Sequence, residues 1–306
     1  MREAERHEDC MKKKGLNRES YVSCVLVGIA AFLCILPFWI ILVNSFGSEQ
    51  DIGLHGFSVL PRTFTLENYK YMVDNKGSML LRAFGVTTIV LVLGTLYTLT
   101  NVVCFAYAIA QNKKVFPLAN ILSFFAWFTT VFSGGVIPWY ILTTQYYGLK
   151  NNLWALFIPS GLNVFHVFIM KSNFKSMPKE LTESAKIDGA SNLRIFLAIA
   201  LPLSKVGLVT VALFTTLGYW NDFYLSLYLI TKTELYPVQK LLYGMMSNIN
   251  QLLSGSMSTD VLDHVTLPMN TARMVMTVLT TLPVMFVFPL VQKYFVKGIT
   301  IGAVKG

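Results

Sequence analysis

Charged and small residues alternate in one hydrophilic segment, 171–205, of an otherwise apolar chain. Its centre combines two carboxylates with four small residues: Glu183, Asp188, Ser184, Ala185, Gly189 and Ala190. Small residues let a second surface approach closely, apolar neighbours supply contact area, and charges fix the register. This chemistry is that of a helix docking into a groove. The composition fits equally well an amphipathic helix lying on lipid headgroups.

Local signals predict the backbone that presents these residues. Pro178 and Glu180 suit the first turn of a helix, and Gly189 suits its carboxyl end. Ser191 can cap a second helix, which Pro202 would end. The segment is therefore predicted to form a helix, a glycine bend and a second helix.

A second group of polar residues lies inside apolar runs. Asp222 carries the one formal charge within these runs, and such residues usually face a cavity or a partner. Neighbouring aromatic and amide groups would suit the hydroxyl groups of a sugar. The candidates for a substrate pathway are Trp220, Asn221, Asp222, Tyr224, Asn101 and Asn163. A structural salt bridge or a hydrogen bond between helices explains Asp222 equally well.

The sequence contains none of the common catalytic or metal-binding patterns. It contains no G-x-x-x-x-G-K-[ST], H-E-x-x-H or G-x-S-x-G pattern, and its four His residues have no ligand spacing. Its four Cys residues form no C-x-x-C pair. We therefore expect no enzymatic activity, metal or cofactor in this chain. Any energy from a nucleotide must come from a partner.

The composition places the chain in a membrane. Of its 306 residues, 54% are hydrophobic and 13% are charged, whereas soluble proteins carry about 25% charged residues. A helix needs about 20 apolar residues to cross the hydrocarbon core. Six apolar stretches meet this requirement: 22–43, 83–110, 119–144, 151–170, 206–231 and 274–292. The uncharged but polar segment 241–259 is rejected as a span.

The distribution of Lys and Arg predicts the orientation. The two terminal segments and the loops predicted on the same side of the membrane hold 17 Lys and Arg in 77 residues. The loops predicted on the other side hold 8 in 89 residues. The positive-inside rule then places both termini in the cytoplasm, which explains the net charge of +9 without a nucleic-acid partner. We predict a cytoplasmic leader (1–21), a permease domain (22–296) that includes the loop 171–205, and a cytoplasmic tail (297–306).

The spacing within the hydrophilic loop resembles a known motif. Glu183-Ser184-Ala185, three residues, Gly189, nine residues and then Ile199-Ala200-Leu201-Pro202 match the EAA motif, E-A-A-x₃-G-x₉-I-x-L-P, except that Ser184 replaces Ala. This motif marks the permease subunits of binding-protein-dependent ABC importers. Further segments are similar to the carbohydrate-uptake, maltose-type (MalG-type) branch and its multiple-sugar and polysaccharide permeases. These segments are Leu66–Tyr69, Ser133–Pro138 and Gly218–Phe223.

The resemblance implies an all-α membrane protein with six transmembrane helices, whose cytoplasmic EAA loop between the fourth and fifth helices holds the coupling helix. It also implies a second permease subunit, two ATP-binding cassette subunits that bind ATP and Mg²⁺, and an extracellular solute-binding lipoprotein or periplasmic binding protein. The substrate would be a sugar, such as an oligosaccharide or glycan, imported across the cell membrane.

Two other classes of protein remain as alternatives. A secondary transporter driven by an ion gradient could use Asp222 as its coupling carboxylate, but such folds commonly contain inverted repeats, and none is evident here. A membrane-embedded enzyme would need a catalytic constellation that the sequence lacks. The secondary transporter also gives no role to the long hydrophilic loop.

Overall fold

A computed structural model of the protein describes residues 18–253 and 270–286, and its regular elements in these ranges are helices. The predicted leader (1–21) and the sixth predicted span (274–292) lie partly outside the described residues. The predicted tail (297–306) lies wholly outside them.

We number the helices of the described ranges in chain order. They are α1 (Arg18–Ser45), α2 (Glu49–His55), α3 (Glu67–Ala110), α4 (Ala119–Val131), α5 (Val136–Tyr146), α6 (Val164–Lys175), α7 (Lys179–Ile187), α8 (Asn192–Leu203), α9 (Lys205–Asn221), α10 (Tyr224–Leu229), α11 (Val238–Leu253) and α12 (270–286). A 3₁₀-helical stretch, Leu153–Ser160, precedes α6, and one π-helical turn lies in each of α5 and α8.

Two of these helices, α1 and α3, are long and apolar enough to cross a membrane. Three pairs of shorter helices meet the same criterion only when each bent pair is taken as one span, which gives up to five spans among the described residues. Almost every side chain of residues 21–39 in α1 is exposed, although this part of the helix is largely apolar. Such a surface suits contact with lipid or with another membrane subunit.

Helix α3 is longer than the predicted span 83–110. It begins at Glu67 and continues without a break for 44 residues, or about 66 Å at 1.5 Å per residue. The hydrocarbon core of a bilayer is about 30 Å thick, so α3 extends well beyond it.

The segment predicted as the third span, 119–144, is not one straight helix. Helices α4 and α5 are separated by residues 132–135 and differ in direction by 115°. Gly135 occupies the break with a φ of 86°, a conformation that residues with a Cβ atom rarely adopt. The break therefore has a local cause in the glycine pair that precedes α5.

The segment predicted as the fourth span, 151–170, is also divided. Its first part is the 3₁₀-helical stretch, and α6 follows at an angle of 54° and continues to Lys175. The side chain of Asn163 accepts hydrogen bonds from the N–H groups of Phe165 and His166, at 2.9 and 3.3 Å. Asn163 is thus the N-cap that starts α6.

The segment predicted as the fifth span, 206–231, breaks at the position of its one charge. Helix α9 ends at Asn221, Asp222 and Phe223 are not helical, and α10 resumes at Tyr224. The polar segment that was rejected as a span forms most of α11, whose residues Val238 and Leu241 are buried.

The first compact unit contains α1, α2, the start of α3 as far as Met72, and described residues 270–279. Asn68 donates to the carbonyl groups of Ser45 and Gly47, which ties the start of α3 to the end of α1. The Glu49 carboxylate accepts four hydrogen bonds of 2.8–3.1 Å, from the backbone and side chains of Asn270 and Thr271. Sequence patterns gave no sign of this clamp.

The described residues of the second compact unit form two buried clusters. One surrounds Phe157 and Tyr219, and the other joins α3, α6, α8 and α9 around Val102, Met170 and Val211. Gly161 allows the Tyr97 ring to pack directly against the backbone, because a Cβ atom at residue 161 would lie 2.1 Å from that ring. These clusters position the two sites described below.

Candidate functional site

Helix α7 has the ends that its sequence predicts. Pro178 immediately precedes it, and Glu180 lies in the first turn. At the other end the Ala190 N–H donates to the Ala185 carbonyl (2.9 Å) and the Gly189 N–H donates to the Lys186 carbonyl (3.1 Å). This is a Schellman motif, and it requires the left-handed conformation that Gly189 adopts with a φ of 77°. The predicted glycine bend is confirmed.

Helix α8 starts as predicted but continues slightly further. The Ser191 hydroxyl accepts the Arg194 N–H at 3.3 Å, which confirms Ser191 as the N-cap. Pro202 does not end the helix, which reaches Leu203. The π-helical turn Phe196–Ala200 precedes Pro202 and widens the backbone there, and the chain then bends by 77° into α9.

The two parts of the EAA-like sequence line one groove of about 420 Å³. Helix α7 contributes residues spaced as one helical face, and α8 contributes Ile199 and Pro202 of the I-x-L-P part together with the residues on either side of that part. The lining residues are Leu181, Ser184, Ala185, Asp188, Ala198, Ile199, Pro202 and Leu203. The sequence therefore brings segments from the two helices to a common surface.

The opposite side of α7 faces outward. Ile187 is 86% exposed, which is unusual for a large apolar side chain, and Glu183 four residues earlier is also exposed. Gly189 is exposed as well, and the space around it is open. The candidate coupling residues thus divide between two faces: Ser184, Ala185 and Asp188 line the groove, whereas Glu183 lies away from it, on the same side as Ile187.

Helix α8 is anchored to the membrane helices by aromatic packing. The Phe196 ring lies 4.6 Å from the Tyr107 ring of α3, which in turn contacts Phe174 of α6 at 5.4 Å. Ile195 and Ala200 are buried. Phe196 is therefore part of the anchor. A displacement of α8 would be transmitted directly to α3 and α6.

A second site is a cavity of about 340 Å³ between α3, α6 and α9. Hydroxyl groups, an amide, an imidazole and a carboxylate share its wall with apolar groups. The lining residues are Thr98, Ser160, Asn163, His166, Phe214, Thr215, Gly218, Tyr219, Asp222, Tyr224 and Leu225. A concave site with a few convergent polar groups is the usual form of a ligand pocket.

The Tyr219 hydroxyl is the centre of the polar network in this cavity. It shares a hydrogen bond with the Thr98 hydroxyl at 2.8 Å and donates to the Phe157 carbonyl at 3.2 Å. The Ser160 hydroxyl also donates to it, at 3.4 Å. Gly94 makes room for the ring, because a Cβ atom at residue 94 would lie 2.9 Å from Tyr219. This network joins α3, α9 and the 3₁₀ stretch.

His166 connects α6 to α9 at the same cavity. Its Nδ1 atom is 3.3 Å from the Thr215 hydroxyl, and its ring stacks on Phe214 with centroids 6.2 Å apart. This buried residue therefore links the two helices. Among the described residues, no group of three or more His, Cys, Asp or Glu side chains could hold a metal ion.

Three of the six candidate pathway residues meet at the cavity: Asp222, Tyr224 and Asn163. Asp222 Oδ1 accepts a long, 3.5 Å hydrogen bond from the Leu225 N–H at the start of α10. The Tyr224 ring packs 5.7 Å from Trp139, so it links the cavity to an aromatic cluster. The break in the chain at Asp222 is thus part of the cavity wall.

The other three candidates do not line the cavity. The Trp220 Nε1–H donates to the Thr280 carbonyl at 3.2 Å, and the Asn101 amide donates to the Gly161 carbonyl at 3.4 Å. Asn221 is exposed and bonds to Leu217 of its own helix. Two of these side chains therefore hold segments of the chain together, and only Asn221 remains available at a surface.

Sequence reasoning missed the hydroxyl groups that dominate the cavity. Thr98, Ser160, Thr215 and Tyr219 lie in apolar runs, where such residues usually bond within their own helix. Their partners are distant in sequence, as in the pair Thr98 and Tyr219, which are 121 residues apart. Only the quoted Gly218–Phe223 segment pointed towards Tyr219.

Replacing Tyr219 by Phe should destabilise the protein while preserving ring packing. The change removes a hydrogen-bond group shared by the Thr98 and Ser160 hydroxyls. Hydrogen bonds between membrane helices contribute on average about 0.6 and at most about 1.7 kcal/mol, so a loss of about 1–2 kcal/mol is expected. The free energy of unfolding in mixed micelles measures it. Thr100→Val, which removes an exposed bond within α3, is the control and should cost less. Equal stability of Tyr219→Phe and the unmodified chain would contradict the role of the network.

Helices of membrane-crossing length and apolar composition indicate a membrane protein, and its regular elements in the described residues are helical. The chain belongs to the family of the binding-protein-dependent transport system inner membrane component, whose model matches residues 20–301. It is therefore a multi-pass transport component and not an enzyme.

Two relatives from Bacillus subtilis (strain 168) cover most of the chain. Protein LplC is 38% identical over 283 residues, covering 92% of this chain and 92% of its own. The polygalacturonan/rhamnogalacturonan transport system permease protein YtcP is 33% identical over 283 residues, covering 90% and 94%. A similar solved chain comes from the crystal structure of a bacterial ABC transporter involved in the import of the acidic polysaccharide alginate. It is 26% identical with a TM-score of 0.78, covering 92% of this chain and 100% of that one.

Proposed function

We propose that this permease forms part of the translocation path of an ATP-driven importer for an oligosaccharide or glycan, and that α7 and α8 couple it to ATPase subunits. The observation that carries this proposal is the groove lined by both parts of the EAA-like sequence, on a helix pair whose outer face is exposed. The named transport substrates of similar proteins, polygalacturonan/rhamnogalacturonan and alginate, support a glycan.

Coupling would proceed through the anchored second helix. A partner ATPase that contacts α7 around Ile187, Glu183 and Gly189 would displace the helix pair when ATP binds. Because Phe196 packs on Tyr107, α8 would carry this displacement to α3 and α6. The same two helices contribute to the cavity around Tyr219. A movement at the coupling surface would therefore change the access or shape of the cavity.

The cavity suits a sugar by its chemistry. Hydroxyl groups and the Asp222 carboxylate can exchange hydrogen bonds with sugar hydroxyls, and the Tyr224 ring offers an apolar face. Asn163 uses its side-chain oxygen to cap α6, which leaves its amide N–H groups for a ligand. We assign Asp222, Tyr224 and Asn163 to the pathway, together with Thr215 and Tyr219.

The proposed topology has six spans, with both termini and the loop 171–205 in the cytoplasm. The bias of Lys and Arg supports this orientation. The proposed partners are a second homologous permease, two ATP-binding cassette subunits that bind ATP and Mg²⁺, and an extracellular solute-binding protein. The exposed apolar surface of α1 would contact lipid or the second permease.

Reconstituted uptake tests the proposal. The permease is purified with its co-expressed ATPase subunits, second permease and binding protein, and placed in proteoliposomes. Radiolabelled oligosaccharide should enter only with Mg-ATP on the cytoplasmic side, and an ion gradient should not replace ATP. Uptake driven by a gradient and abolished by Asp222→Asn would instead favour a secondary transporter. Failure to isolate a complex with any ATPase would overturn the coupling role of α7.

A further inference from the structure

A short segment that follows α2, Phe57–Leu60, keeps its apolar side chains outside the fold. Phe57, Val59 and Leu60 are 60%, 55% and 69% exposed, and none of them belongs to a helix. Single exposed apolar residues are common on any protein, but three within four residues form a patch, and an exposed apolar patch marks a contact surface. The position of the segment along α1 indicates what it contacts.

The segment lies beside the last two turns of α1. The Asn44 side chain donates to the Ser58 carbonyl at 2.7 Å and accepts the Ser58 N–H at 3.0 Å. The Trp39 Nε1–H donates to the Val59 carbonyl at 2.9 Å. Within the 25-residue span Tyr21–Ser45, which is about 38 Å long, Trp39 lies about 9 Å from the end. This depth is close to the boundary between a hydrocarbon core of about 30 Å and the headgroups, where Trp is enriched.

Side chains satisfy the backbone carbonyl groups of the segment. Besides the bonds from α1, the Ser58 hydroxyl donates to the Leu60 carbonyl at 2.7 Å. The three consecutive carbonyls of residues 58–60 therefore have donors within the protein, and Pro61, which follows, has no N–H group. Water can supply such donors to an ordinary surface loop, whereas backbone groups that enter a bilayer must be paired within the protein. The pattern therefore favours lipid over water around this segment.

Contacts on both sides of the segment brace the loop that contains it. The Thr63 hydroxyl donates to the Asp51 carboxylate, and the Thr65 N–H donates to the Phe46 carbonyl at 2.8 Å. The Phe64 ring also stacks on the Phe46 ring, with centroids 5.1 Å apart. The exposure of the segment is thus a property of the folded loop. A loop held in this way can meet a surface with little further loss of conformational entropy.

We propose that Phe57–Leu60 is an interfacial segment, inserted among the lipids of the leaflet at the carboxyl end of α1. Its side chains continue the exposed apolar surface that residues 21–39 of α1 form. Arg62 is exposed two residues further on, and a guanidinium beside the inserted side chains can bind a lipid phosphate. The insertion fixes the height of α1 and of its loop in the bilayer, which is a role separate from sugar passage and from coupling to ATP.

The collision accessibility of a nitroxide spin label tests the proposal. Leu60→Cys is labelled in a variant without the four native Cys residues, and the permease with its co-expressed subunits is placed in nanodiscs of phosphatidylethanolamine and phosphatidylglycerol. Oxygen concentrates in hydrocarbon, whereas a nickel chelate stays in water. The label at residue 60 should be reached readily by oxygen and poorly by the chelate, like a label at Leu33→Cys in the exposed middle of α1. Lys113→Cys, at an exposed residue between α3 and α4, is the water reference and should show the reverse.

Two results would overturn the proposal. Ready access of the chelate to residue 60, as at residue 113, would place the segment in water. Poor access of both reagents would mean that a protein covers the segment. A block that is present in the purified complex would identify a neighbouring subunit, and a block that appears only when the solute-binding protein is added would identify that protein.

Trp39→Phe tests whether the paired carbonyl groups hold the segment in the lipid. The change keeps an aromatic ring but leaves the Val59 carbonyl without its donor. Loss of one hydrogen bond within the membrane should lower the ratio of inserted to withdrawn segment roughly 3- to 16-fold, so chelate access to the label at residue 60 should rise. Trp127→Phe, at an exposed tryptophan of α4, is the control and should leave this access unchanged. Equal chelate access in both variants would contradict the role of the hydrogen bonds from α1.

Discussion

Gly189→Pro is expected to uncouple sugar uptake from ATP hydrolysis while the permease still inserts in the membrane. Gly189 has a φ of 77°, whereas proline is restricted to about −65°. Proline also removes the N–H that donates to the Lys186 carbonyl at 3.1 Å. The bend between α7 and α8 would be lost, and with it the alignment of the groove. Coupling energies are about 1–3 kcal/mol, so uptake in proteoliposomes should fall roughly 5- to 150-fold.

Gly189→Asn is the matched control for this change. Asparagine tolerates the left-handed conformation better than other residues with a Cβ atom, and no atom lies within 4 Å of a Cβ placed there. It should retain most of the ATP-driven uptake, and both variants should reach the membrane in equal amounts. Normal uptake by Gly189→Pro would show that the bend has no part in coupling.

The helix pair α7 and α8 could be predicted because its signals are local. Pro178, Gly189 and Ser191 act on backbone groups within a few residues of themselves, so their effects follow from the sequence alone. The groove between the helices was not evident in the same way. It depends on the bend angle and on the packing of Phe196 against Tyr107, which lies 89 positions earlier in the chain.

The limits of the spans were harder to predict than their existence. Hydropathy identifies uncharged stretches, and an uncharged stretch has the same composition whether its helix is straight or broken. The 115° bend in 119–144 depends on a positive φ at Gly135, and the 54° bend in 151–170 depends on the capping of α6 by Asn163. Glycine and asparagine in such a run permit a break but do not specify its angle.

The cavity was predicted only in part for a related reason. Asp222, Tyr224 and Asn163 attract notice as polar residues in apolar runs, and all three line it. Tyr219 and Thr98 also line the cavity, but they do not attract notice in the sequence, because a tyrosine or threonine in a membrane helix has many ordinary roles. Their importance arises from a contact between α3 and α9, which no pattern within either helix specifies.

The outward face of α7 gives the second large expected effect, through Ile187→Lys. Ile187 is 86% exposed, and a lysine at the carboxyl end of a helix interacts favourably with its dipole, so the permease itself should stay stable. If Ile187 is buried by an ATPase subunit, the ammonium group must lose its water there. A central contact of this kind is worth at least about 2 kcal/mol, a loss of roughly 30-fold in affinity. Co-purification of the ATPase at limiting concentration measures the change.

Leu54→Lys provides the comparison for this experiment. Leu54 is 80% exposed and lies near the carboxyl end of another short helix, α2, on the opposite side of the membrane in the proposed topology. It should leave ATPase binding unchanged, so any loss specific to Ile187→Lys locates the contact on α7. Undiminished binding by Ile187→Lys would mean that the ATPase does not cover this face. The groove lined by Ser184 and Asp188 would then be the remaining surface of the helix pair for such a contact.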